Sequence, residues 1–88
     1  MAKSVFTEDY ESFRLLLVEA RNSAGFTQID LARKLARPQS FVSKYERGER
    51  RLDVIEFLEV ANAIGIDPPH FIRKLQWTTN AKRRPRPL

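Results

Sequence analysis

Apolar side chains recur at Tyr10, Phe13, Leu17, Ala20 and Ala24. Steps of three and four place them on one face of a helix. Leu15, Leu16 and Val18 widen that face, so the helix is expected to be well buried. Thr7 stands where an N-cap belongs, Glu8 and Asp9 suit the positive end of the helix, and Gly25 can close it. A second pattern begins with Thr27-Gln28-Ile29-Asp30, a capping box with Asp in place of the usual Glu or Gln, and continues inward through Leu31, Ala32 and Leu35. Proline biases the residue before it away from helical geometry and is at home in the first turn of a helix. Ala36-Arg37-Pro38 therefore ends the second helix near Leu35 and opens a third at Pro38 or Gln39. The third runs to Arg47, where Gly48 stops it. It has two sides, Val42 and Tyr45 on one, Gln39, Ser40, Ser43 and Lys44 on the other. A core helix does not give a whole side to short polar residues and a lysine; a helix presented to a polar partner does.

Asp53 caps a predicted fourth helix with Ile55, Leu58, Val60 or Ala61, and Ile64 as its packing residues and Gly65 as its stop. Asp67-Pro68 starts a short fifth helix carrying Phe71, Ile72 and Leu75. Beyond Trp77 the chain is polar, basic and interrupted by Pro85 and Pro87, the composition of a disordered tail. No strand alternation and no internal repeat is visible. The pattern predicts an all-α domain of five helices over residues 1–77 and a basic flexible tail over 78–88.

Charge adds direction to this picture. The net charge of +5 is unevenly spread. Residues 33–51 hold seven basic and two acidic side chains, while 1–32 and 52–81 are each mildly acidic. Lys82, Arg83, Arg84 and Arg86 make the end basic again. The basic band coincides with the polar-sided third helix and favours a polyanion partner. The chain has 88 residues, the size of one domain whose small core leaves it marginal unless it dimerises. Phe71, Ile72, Leu75 and Trp77 give the C-terminal third more apolar surface than a short terminal helix hides alone, which points to a homodimer formed there.

Catalytic chemistry is not indicated. There is no cysteine, which removes disulfides and thiolate metal sites and fits a cytoplasmic protein. His70 is the only histidine and has no ligand spacing around it. No nucleophile–base pair or phosphate-cradling glycine loop appears. No metal, cofactor or enzyme activity is expected. No apolar run approaches the ~20 residues of a membrane helix, and residues 1–6 do not form a signal peptide.

The ordered run Thr27-Gln28, Leu31-Ala32, Leu35, then Pro38-Gln39-Ser40-Phe41-Val42-Ser43-Lys44-Tyr45-Glu46-Arg47-Gly48-Glu49-Arg50-Arg51, with Arg21 and Gly25 upstream and Leu58, Ala61, Ala63, Ile64 and Gly65 downstream, carries a resemblance. From Phe13 to about Leu75 the chain resembles the lambda-repressor-like helix-turn-helix domains, the Cro/repressor type also called the XRE family. Two departures stand out. The family often has glycine in the turn, at a position that commonly needs a left-handed backbone, where this chain has Ala36. Pro38 replaces the Ser or Thr that often caps the third helix.

The resemblance implies a sequence-specific DNA-binding transcriptional regulator, a repressor that binds double-stranded DNA as a homodimer. The third helix would be the recognition helix in the major groove, with Gln39, Ser40, Ser43 and Lys44 at base edges. Gln28 would bond a phosphate and brace Gln39. Arg37, Arg47, Arg50 and Arg51 would meet phosphates, holding register without reading sequence. Arg21 and Glu46 would form an ion pair tying helix one to helix three. Phe13, Leu17, Leu31, Leu35, Val42, Tyr45, Leu58 and Ile64 would be core. Two rivals remain open: an antitoxin that also binds a toxin protein, and an interaction module that has kept the fold without DNA contacts. The basic tail either adds nonspecific affinity for DNA or is idle.

Overall fold

A computed structural model describes residues 7–83, with side chains for 7–79. Five helices follow one another: α1 Glu8–Ser23, α2 Gln28–Leu35, α3 Gln39–Glu46, α4 Val54–Ile64 and α5 Pro68–Arg83. Local chemistry sets most of their ends. Thr7 caps α1 by accepting from the Tyr10 amide at 3.0 Å. Thr27 and Asp30 close a reciprocal capping box on α2, both bonds 3.0 Å, and the bonds from Thr27 hold the Asp30 carboxyl below the ordinary aspartate range. Asp53 and Glu56 do the same on α4 at 2.7 and 3.0 Å. α3 differs, with Pro38 at its N-cap position and no side-chain cap.

The turn between α2 and α3 is made by Ala36, at φ 57° and ψ 42° in the left-handed region. Its geometry lets the Arg37 amide donate back to the Ala32 carbonyl at 3.0 Å and the Ala36 amide to Arg33 at 3.1 Å. These bonds satisfy carbonyls that the end of α2 would leave open. The turn folds α3 across α2, and Leu31, Ala32, Val42 and Tyr45 are buried between them and α1, with Leu17 fully enclosed.

An aromatic cluster joins the other end. Phe13, Phe57 and Phe71 meet with ring centroids 5.2–5.8 Å apart. It also sets the rotation of α4, which departs from the expectation. Phe57, Val60, Ala61 and Ile64 face the core, whereas Ile55 and Leu58 are 63 % and 43 % exposed. Leu58 is therefore not a core residue. The segment Val-Ile-Glu-Phe-Leu-Glu-Val-Ala is apolar on nearly every side, so periodicity alone does not choose the inward face. Phe13 of α1 and Phe71 of α5 choose it by drawing Phe57 in.

α5 is longer than the short helix expected and runs through residues 78–83, read from sequence as the start of the tail. No proline occurs between Pro69 and Pro85 to stop it. Thr79 is buried, with its hydroxyl donating to the Gln76 carbonyl at 3.1 Å. The remaining tail, 84–88, lies outside the described residues. The four residues grouped as a dimer surface do not lie together. Phe71 is core, and on a helix of 100° per residue Trp77 lies about 120° to one side of it and Ile72 about 100° to the other.

Candidate nucleic-acid interface

α2 and α3 each begin with a glutamine, and these two side chains meet. Gln39 donates through Nε2 to Oε1 of Gln28 at 3.0 Å. The amino ends of two helices thus converge on one spot, that of α2 closed by its capping box with Asp30 in the first turn, that of α3 without a side-chain cap. No acidic residue occupies the first turn of α3, so nothing on that helix offsets its dipole. Gln39, Ser40 and Lys44 project into solvent along this face. Ser43 is half-buried and its hydroxyl turns back to the Ser40 carbonyl at 3.4 Å, leaving it the least available of the four.

Behind this face lies a buried carboxylate. Glu46 is 6 % exposed. Arg21 of α1 donates to it through Nε at 2.7 Å and Nη2 at 3.0 Å, and Gln28 adds Nε2 at 2.8 Å. The remaining Arg21 nitrogen, Nη1, donates to the Phe26 carbonyl at 2.7 Å. Glu46 raises the Arg21 pKa further above its ordinary value, chiefly through that hydrogen bond. Arg14 also bonds the Glu46 carbonyl and pairs with Glu11. The sequence reading missed Arg14, although it stands seven residues before Arg21, two turns back on the same face of α1.

The four flanking arginines are all engaged. Arg37 pairs with Glu59 at 2.9 Å and lies 4.4 Å over the Phe41 ring. Arg50 lies 4.9 Å over the same ring and makes two 3.0 Å bonds to Glu56. Phe41 is thus flanked by two guanidiniums, each held by a carboxylate three residues apart on α4. The Arg50 bond, followed by the Asp53 amide, holds Glu56 below the ordinary glutamate range. Arg47 pairs with Glu49 at 2.8 Å in full solvent, and Arg51 lies 4.6 Å over Tyr10. Phe41, Glu56 and Glu59 were missed as parts of this face because only tertiary packing brings them to the arginines.

No group of His, Cys, Asp or Glu among the described residues is arranged to hold a metal ion, and no helix there is long and apolar enough to cross a membrane. Residues 17–71 match the family model described as helix-turn-helix, HTH_3. A solved structure of an XRE-family like protein from Pseudomonas syringae pv. tomato superposes with a TM-score of 0.77 at 53 % identity, over 82 % of this chain and 90 % of that one. Two mutants of the restriction-modification controller protein C.Esp1396I superpose with TM-scores of 0.75 and 0.74. Their identities are 22 % and 19 %, over 83 % and 90 % of this chain and 92 % and 100 % of theirs, a likeness of fold. No curated protein matches the chain.

Proposed function

The chain belongs to the XRE type of the helix-turn-helix family, and from that membership we propose that it is a transcriptional regulator, a repressor that binds duplex DNA as a homodimer with α3 in the major groove. The observation that carries this reading is the meeting of Gln28 and Gln39 at the N-terminus of α3, which has neither a side-chain cap nor an acidic residue in its first turn. Such a spot attracts phosphate, and a glutamine beside it reaches base edges. Gln39, Ser40, Ser43 and Lys44 are the base contacts in this reading, with Ser43 the weakest of them. Gln28 meets a phosphate while bracing Gln39.

Arg37, Arg47, Arg50 and Arg51 are the phosphate contacts, and their present partners rank them. Arg47 shares its charge with an exposed glutamate, a solvent-screened pair that a phosphate easily displaces. Arg50 is held at both nitrogens and on a ring, so it gives up more on meeting DNA.

Selection from random duplex DNA, followed by binding to the selected site and its single-mismatch variants at several salt concentrations, tests the proposal. Gln39→Ala and Ser40→Ala should lose discrimination at one or two base pairs, about 1–3 kcal/mol each for a good bidentate contact. Arg47→Ala should weaken all sequences alike and reduce the slope of log K against log salt by about one. A wild-type protein without preference among duplexes at physiological salt would favour the interaction-module reading instead.

A further inference from the structure

We propose that Glu46 is a specificity-positioning residue: its buried carboxylate fixes, through the Gln28 amide, which edge of the Gln39 amide faces the base pair. This rests on the reading of α3 as the recognition helix. An ionised carboxylate only accepts hydrogen bonds. The oxygens of Glu46 already take Nε and Nη2 of Arg21 and Nε2 of Gln28. Glu46 therefore admits only the NH2 end of Gln28. With that end inward, the Gln28 carbonyl oxygen points at α3 and accepts from Gln39 Nε2 at 3.0 Å. The rule then applies one step further on. Gln28 offers Gln39 an acceptor, so Gln39 turns its NH2 group toward Gln28.

Each amide in the row is oriented by the group behind it, and Arg21 donates to both oxygens of the first group. Gln39 is left with Oε1 and one N–H, an acceptor beside a donor. That pair complements adenine, which presents an N6 donor beside the N7 acceptor in the major groove. It mismatches guanine, whose O6 and N7 both accept. A reversed row would present two N–H donors and favour guanine. Glu46→Gln permits that reversal, because an amide at 46 can accept from Arg21 with its oxygen and donate to the Gln28 oxygen with its nitrogen.

The experiment measures binding of the full chain to a selected duplex and to all four base pairs at each position. The variants are Gln39→Ala, Gln28→Met, Glu46→Gln and the Gln28→Met/Gln39→Ala double, each checked by a thermal melt. Gln39→Ala should erase an adenine preference at one base pair. Gln28→Met should lose the preference at that same base pair and no other, and the double variant should add little to either. Glu46→Gln should lower the adenine-to-guanine ratio there by about tenfold. Gln28→Met leaves the Arg21–Glu46 pair in place, so the test stands even where Glu46→Gln fails to fold. If Gln28→Met weakens every sequence by one factor and keeps the adenine preference, Gln28 is a phosphate contact only and the proposal is overturned. If Gln39→Ala changes no position, the recognition-helix reading falls, and the row with it.

Discussion

Ala36 is the one non-glycine residue with positive φ among those described. A Cβ in this region costs about 1–2 kcal/mol, while glycine loses about 0.5–1 kcal/mol more than alanine in conformational freedom on folding. Relief of the first exceeds the second, so Ala36→Gly should stabilise by about 0.5–1 kcal/mol and raise Tm by a few degrees. A thermal melt with unchanged or lower Tm would show that the turn stores no strain. Tyr45 makes the opposite point about side chains. It is 1 % exposed, its hydroxyl has no hydrogen-bond partner among the described residues, and burial pushes its phenol far above the usual range. A buried orphan hydroxyl costs about 1–3 kcal/mol. Tyr45→Phe keeps the ring 5.6 Å from Phe41, so chemical denaturation should show equal or greater stability. A loss would reveal a hidden partner for the oxygen.

Between elements, the ion pairs divide by burial. The side chains of Arg21 and Glu46 are 11 % and 5 % exposed, those of Arg47 and Glu49 56 % and 52 %. Removing one partner of a buried pair strands a charge and costs about 3–5 kcal/mol, whereas solvent screens an exposed pair. Arg21→Met should lower the melting midpoint markedly, and Glu49→Ala should leave it nearly unchanged. Acid tests the α4 contacts separately. The Glu56 carboxyl is held below its ordinary 4.5 by Arg50 and the Asp53 amide. A depressed folded pKa gives stability that is present above the unfolded value and lost as pH falls through the folded one. Stability should be level toward pH 5 and decline below about 4.5, with Glu56→Gln flattening that decline. An equal slope in the variant would assign the loss to other carboxylates. The same contrast between local and distant causes explains what could be read in the sequence. The Thr7, Thr27 and Asp53 caps depend on residues three positions away, so they were legible. The rotation of α4 depends on Phe13 and Phe71, far off in the chain, so Ile55 and Leu58 were misplaced. The length of α5 was hidden because Thr78 and Thr79 look like loop residues until Thr79 is seen to be buried.

For the whole molecule, the polar side of α3 was visible as a pattern, but its environment was not. The resemblance already joined Gln28 to Gln39; only the fold shows that Gln28 also bonds Glu46. Nor does spacing reveal that Glu56 and Glu59 already occupy two of the arginines. The exposed apolar surface is wider than the C-terminal third: besides Ile72 and Trp77, exposed by 43 % and 75 %, α4 shows Val54, Ile55 and Leu58, exposed by 72 %, 63 % and 43 %. We propose that the α4 face meets a second copy; two-fold readers of this type set their recognition helices about 34 Å apart along the duplex. Leu58→Asp should leave the fold intact, shift sedimentation at micromolar concentration to monomer, and weaken binding to a two-half-site duplex more than to a single half-site. A variant that sediments as the wild type does would move the interface elsewhere.

On the homodimer reading, α4 has two surfaces with separate tasks. Through Glu56 and Glu59 it steadies the arginines beside α3, and through Val54, Ile55 and Leu58 it offers a place for a twin. A protein assembled this way responds to its own abundance nonlinearly. While monomer prevails, the paired form scales with the square of total concentration, so a tenfold dilution removes about a hundredfold of it by mass action. The operator would then act as a threshold detector, nearly empty while the chain is scarce and abruptly filled once synthesis raises its concentration. The sharpness of that threshold would be set by three side chains on α4 rather than on α3.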